Sequence, residues 1–155
     1  MQIGVASPRC TVDCNRRGQS TGLMRDPANP TDSELTRWAF SDEPQPIEDF
    51  DLVVADVERV PLLLELTSSP QRPFFVRCLY LIVGDAVRTA FKTSSRSAVE
   101  SALEVAIAVA ASDRAVARWA EDSRTLLASP ERFDYDDWCD GGLARRAVAA
   151  SPDGD

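Results

Sequence analysis

The sequence predicts an all-α domain: a compact bundle, or a short stack of antiparallel helical hairpins, behind a disordered N-terminal leader. Three observations predict it. Apolar residues recur at intervals of three and four over most of residues 73–129. Hydroxyl or carboxylate residues that suit helix N-caps precede several of these runs. The prolines after residue 40 fall at the edges of the periodic segments, where a missing N–H is tolerated or a helix must stop.

Residues 1–30 show neither a helical nor a strand period. They hold Pro8, Pro27 and Pro30, Gly4, Gly18 and Gly22, and scattered arginines, and are expected to form a leader without fixed structure. Met24 is a second candidate start within it. A single helical domain is expected over 31–150, with a frayed tail over 151–155.

Thr31-Asp-Ser-Glu34 has the spacing of a capping box and predicts a short helix to about Phe40 that buries Leu35, Trp38 and Ala39. Pro44 and Pro46 break the chain. From Ile47 the positions Ile47, Phe50, Val54, Val57 and Val60 or Pro61 follow a helical period, and Pro61 can open a second short helix rich in leucine. Pro73 opens a long helix expected to reach about Lys92. Its stripe of Phe75, Leu79, Ile82, Val83, Ala86, Val87 and Ala90 is widened by Phe74, Cys78 and Leu81, which predicts the central, most buried helix.

Ser97-Ala-Val-Glu100 reads as a second capping box, followed by Val99, Leu103, Ala106, Ile107 and Ala110. Ser112-Asp113 opens a third helix carrying Val116, Trp119, Ala120, Leu126 and Leu127, which Ser129-Pro130 ends. Short connections make these three antiparallel neighbours. Ser129-Pro130-Glu131 can start one more turn, Gly141-Gly142 suit a left-handed cap, and Leu143 to Ala150 can form a last helix. Strands compete at Leu52–Val54 and at Leu79–Val83, inside the helical patterns.

Composition bounds the chemistry. The 155 residues suit one domain, and 44% hydrophobic residues suffice for its core. No histidine is present, which removes Ser-His-Asp triads, Cys-His pairs and most catalytic zinc sites. A net charge of -8 repels nucleic-acid phosphates and anionic lipids and favours basic partners. The first fifteen residues have no long apolar stretch of a secretory signal, and the apolar run at Phe74–Val83 is too short to span a bilayer. A cytoplasmic protein with reduced thiols is the expectation.

The densest functional-looking segment is Phe133, Asp134, Tyr135, Asp136, Asp137, Trp138, Cys139 and Asp140. Aromatic anchors ringed by carboxylates suit a hot spot for a basic protein. On a helix, Asp136, Asp137 and Asp140 would share one face able to hold Mg²⁺, the rival reading as a magnesium-dependent enzyme. In the plainest alternative, Phe133 and Trp138 pack inward while the aspartates meet water.

Between residues 26 and 66, eleven carboxylates face only Arg37 and Arg59, a solvated helix face or an electrostatic landing surface. Cys10 and Cys14 have a spacing that zinc tolerates, but Cys78 and Cys139 lie far away in sequence, and Cys78 reads as a core thiol. Asp85 and Arg88 can pair with each other, with Tyr80 as another partner.

These readings converge on a module that neutralises or docks onto a basic protein partner, in the manner of bacterial immunity proteins or antitoxins. No direct nucleic-acid contact, membrane anchorage, metal or other cofactor is expected. A helical scaffold or regulatory subunit is the second rival, using the groove between the helices at 73–92 and 97–111.

Overall fold

A computed structural model describes residues 22–89, 95–110 and 112–150. Among them the chain is all-α, with no strand. In order the helices are α1 (Asp32–Ala39), α2 (Phe50–Val54), α3 (Val60–Leu66), α4 (Arg72–Arg88), α5 (Ser95–Ala110), α6 (Arg114–Ala128), α7 (Tyr135–Trp138) and α8 (Gly142–Ala149). Two 3-10 turns, Val57–Arg59 and Pro130–Arg132, link α2 to α3 and α6 to α7. The competing strand positions, Leu52–Val54 and Leu79–Val83, are helical.

The capping box at Thr31 starts α1 as its sequence predicts. The Thr31 hydroxyl accepts from the Glu34 backbone N–H, and the Glu34 carboxylate accepts from the Thr31 N–H at 2.8 Å. The same carboxylate accepts from the Arg25 N–H at 2.9 Å, which ties the preceding segment down. Residues 22–30, expected to belong to a leader without fixed structure, form turns that are anchored to the domain. Met24 is buried in the core, and the Pro30 carbonyl accepts from Arg59 Nη2 at 2.8 Å. Met24 joins the core, and the backbone groups of Arg25 and Pro30 find partners on α1 and the 57–59 turn, so ordered packing reaches back before residue 31.

The helical period from Ile47 to Val60 yields a short helix, a turn and another helix. Asp49 enters α2 in the left-handed region (φ 55), which Asp tolerates better than most residues. Past Val54, Asp56 offers its side chain to the Glu58 N–H at 2.9 Å, so local capping outcompetes helix continuation. Phe50, Val54 and Val60 still reach the core. Pro61 sits in the first turn of α3, as its missing N–H permits.

Central α4 packs against α2, α3, α5, α6, α7 and α8. Every residue from Phe74 to Val87 except Arg77 and Asp85 is buried. Its N-terminal half carries an aromatic cluster. Trp38 lies edge-on to Phe74, Phe75 and Phe50 at centroid distances of 4.9, 5.9 and 5.3 Å. Each such ring contributes roughly 1.5–3 kcal/mol by burial and each edge contact about 0.5–1.5 kcal/mol. Trp119 of α6 donates its indole N–H to the Leu79 carbonyl at 2.9 Å, and Tyr80 donates its hydroxyl to Asp122 Oδ2 at 2.8 Å. Burial first, then that hydrogen bond, pushes the Tyr80 phenol well above its ordinary range.

Asp113 caps α6, accepting from the N–H groups of Ala115 and Val116, and its Oδ1 meets Arg72 Nη2 at 3.0 Å. The expected capping box at Ser97 is not used, because α5 already runs from Ser95. Instead Arg96 pairs with Glu100 at 2.9 Å across one turn. Ile107, expected inside, is 57% exposed, because α5 turns its Val99, Ala102, Leu103 and Ala106 face into the core. Gly141 takes the left-handed conformation (φ 84) between α7 and α8, as its sequence suggests, while Gly142 is the first residue of α8. No helix among the described residues is long and apolar enough to cross a membrane.

Gly84 lets α7 close onto α4. A Cβ there would lie 2.7 Å from Trp138 Cβ, an atom fixed next to the backbone. Alanine in a helix normally gains about 0.5–1 kcal/mol over glycine, but this overlap outweighs it. Gly84→Ala is expected to lower unfolding free energy by about 1–3 kcal/mol in urea titrations, whereas Gly22→Ala, with no neighbour within 4 Å, stays near neutral.

The Glu34 carboxyl is held down from its ordinary 4.5 to about 2, first by the Arg25 N–H and then by the Thr31 groups. A depressed folded-state value means that the ionised form stabilises the fold above the unfolded value. The stability difference between wild type and Glu34→Gln should therefore be constant above pH 5 and shrink as pH falls from 4.5 to about 2. Denaturant midpoints measured across that range test it. A gap that widens toward low pH would show that the carboxylate does not hold the cap.

Candidate functional site

The Phe133–Asp140 segment divides into a structural and a surface half. Trp138 is 5% exposed and lies 5.4 Å from the Tyr80 ring, and Phe133 is half-buried against the core. Asp134 caps α7, accepting from the Asp137 N–H at 3.0 Å. Asp137 Oδ1 accepts from Arg146 Nη2 at 2.7 Å, which neutralises part of the acidic patch. Asp136 and Asp140 are exposed, with no ion-pair partner among the described residues. Tyr135 is 54% exposed, and the Arg88 guanidinium sits 5.9 Å from its ring centroid, a cation–π distance.

The three aspartates spaced for magnesium do not share a helix face. Helix α7 ends at Trp138, so Asp140 falls beyond its Cys139 cap. Among the described residues no group of three or more carboxylates or thiols is placed to hold a metal ion. Cys78 and Cys139 are buried free thiols, and burial pushes both above their ordinary values. Cys10 and Cys14 lie outside the described residues.

The acidic stretch over 26–66 is likewise divided. Asp32 meets Arg59 at 3.5 Å, Asp51 is buried against Arg77 at 2.8 Å, and Glu34 and Asp56 serve as caps. Asp42, Glu48, Asp49, Glu58 and Glu65 remain exposed, without an ion pair among the described residues. They add exposed negative charge to the N-terminal half of the domain.

The C-terminal end of α4 joins these two regions. There a cavity of about 370 Å³ opens between α2, α4 and α5, with Leu81, Ile82, Ala86 and Val99 among its lining residues. Asp56 and Asp85 also line it, as does Leu52, which is 61% exposed. Asp85 Oδ1 pairs with Arg88 Nη2 at 2.7 Å, and Arg88 in turn leans over Tyr135. Tyr80, a candidate partner of this pair from sequence, instead points across the bundle to Asp122. Asp56 spends Oδ1 on the Glu58 N–H. Each of Asp56 and Asp85 thus keeps Oδ2 without a hydrogen-bond partner among the described residues.

Chemically, this is an apolar slot with carboxylates at its mouth. It suits a lysine or arginine side chain, whose methylenes seek apolar surface while the charged head stays near water. Sequence reading missed the slot because it is assembled from four separate elements. Two signals pointed toward it: Leu52 lies off the Ile47–Phe50–Val54 stripe, and Asp85 interrupts the most apolar helix.

Trp138 and Tyr135 should separate cleanly on substitution. Trp138→Ala is expected to cost about 3–5 kcal/mol in chemical denaturation, as for a buried aromatic, and Tyr135→Ala within about 0.5 kcal/mol, as for a surface position. Equal losses would place Tyr135 in the core architecture instead of on its surface. No protein-family model, curated protein or solved structure matches the chain.

Proposed function

We propose that this protein is a cytoplasmic protein-binding module that docks onto a basic protein partner, in the manner of bacterial immunity proteins or antitoxins. The acid-rimmed cavity at the end of α4 carries the reading. A cationic side chain of the partner enters between Leu52 and Leu81, and its charge meets Asp56 and Asp85. Tyr135, with Asp136 and Asp140 beside it, forms a second contact zone linked to the first through Arg88. Exposed tyrosine next to free carboxylates is the chemistry of an interface hot spot. The unpaired acids of residues 42–65 add a long-range field that speeds capture of a positive surface. Cys78 and Cys139, both free, suit a reducing compartment.

For the second reading, a helical scaffold or regulatory subunit, the groove between α4 and α5 is in part the acid-rimmed cavity itself, and the exposed apolar Val105 and Ile107, at 48% and 57%, offer a separate surface on α5. Val105 and Ile107 lie outside the acid-rimmed cavity, so one experiment separates the two readings. A photo-crosslinking residue at position 52, at 135 or at 107 is introduced in the native host. Adducts at 52 and 135 with one basic protein are expected, with binding that weakens as salt rises. The pair Asp56→Asn and Asp85→Asn, which keeps the Asp56 cap, should reduce affinity by about tenfold or more. Adducts at 107 alone, or a partner whose binding ignores both salt and these substitutions, would remove the docking assignment.

A further inference from the structure

The geometry points to a second site of opposite sign: a cleft between the N-terminal end of α4 and helix α8 that binds a small organic anion with an apolar body. This inference is independent of the docking reading, since it shares no residue with the acid-rimmed cavity.

The cleft has a volume of about 540 Å³, within the roughly 300–1,000 Å³ range of small-molecule sites. Its apolar surface comes from Pro73, Phe74 and Val148, and its charge from Arg77 and Arg145. Among the described residues no carboxylate lines it. In a chain of net charge -8, a cleft walled by two arginines and, among the described residues, no acid runs against the overall balance.

The two guanidinium groups flank the same glycine. A Cβ built on Gly141 would meet Arg145 Nη1 at 3.5 Å and Arg77 Nε at 3.7 Å. Like charges brought this close repel unless anions offset them. Arg77 has one, with Nε 2.8 Å from Asp51 Oδ2. Arg145 has none among the described residues; its Nη1 donates to the Asp140 backbone carbonyl at 3.0 Å, which carries no net charge. One positive charge is therefore left over, held in place by a backbone hydrogen bond and facing an apolar wall.

Carboxylate and phosphate monoester groups match this arrangement, because a guanidinium presents a planar fork of donors to either. The first turn of α4 contributes in the same sense, since helix N-termini favour negative charge. The aromatic and aliphatic wall sets the rest of the ligand: Phe74 and Val148 accept an aryl or short alkyl body. A bare inorganic ion would leave that wall unused.

Phenylphosphate is the probe, followed by amide chemical shifts of the full chain. Shifts should cluster at Phe74, Arg77, Gly141 and Arg145, with saturation at lower concentration than for inorganic phosphate. Arg145→Gln should weaken binding by about tenfold, the loss of one charge-assisted contact. Arg124→Gln on α6, an exposed arginine away from the cleft, should leave it unchanged. Three outcomes would overturn the assignment: equal binding by Arg145→Gln, equal loss in Arg124→Gln, or phenylphosphate no tighter than phosphate. A fourth would too: binding that appears only after Asp153→Asn with Asp155→Asn, because the cleft would then belong to the chain's own acidic end.

Discussion

Burial of α4 around nearly its whole circumference is the constraint on which the rest depends. A helix wrapped by six others has no solvent face on which to carry polar groups. Its middle must be apolar, and it is: from Cys78 to Gly84 every residue is buried. The polar atoms that do occur there are answered from outside. Tyr80 reaches Asp122, and the Leu79 carbonyl takes the Trp119 indole. Charge is displaced toward the helix ends, with Arg72 and Arg77 near the start and Asp85 and Arg88 near the finish.

That displacement explains where the two candidate sites lie. Both clefts open where α4 emerges from its neighbours, one lined by Pro73, Phe74 and Arg77, the other by Leu81, Ile82 and Asp85. Their signs agree with the helix itself, since the start of a helix favours anions and its end favours cations. Arginines without enough carboxylates stand near the first; carboxylates with free oxygens stand near the second. The ion pairs Asp51–Arg77 and Asp85–Arg88 trim each field without cancelling it.

Much of the architecture was legible because it rests on local signals. The Thr31 box, the Asp113 cap, Pro61 and Pro73 in first turns, and the apolar face of α4 all follow from spacing alone. Where reading and structure part, a non-local contact decides. Ser97 looks like a cap, yet α5 starts at Ser95, where Arg96 Nη2 donates to the Leu127 carbonyl of α6 at 3.3 Å. Met24 sits in a stretch with no period, and only the folded core reveals its place. Ile107 satisfies the period of α5 but faces outward, because period gives the stripe and not the width of the neighbour covering it.

The acidic aromatic segment was visible as composition, but its division of labour was not. Asp134 and Asp137 look alike in sequence; one caps α7 and the other holds Arg146. The slot beside Leu52 and Asp85 left only two isolated signs in the sequence, since four elements build it. Gly84 has a wider consequence. The contact at this glycine sets α7 directly against α4, so Tyr135 and the Asp85–Arg88 pair belong to one mechanical unit. Any force or strain applied to the surface tyrosine is passed to the buried central helix instead of being absorbed by a loop. Ordering that surface would therefore cost little entropy.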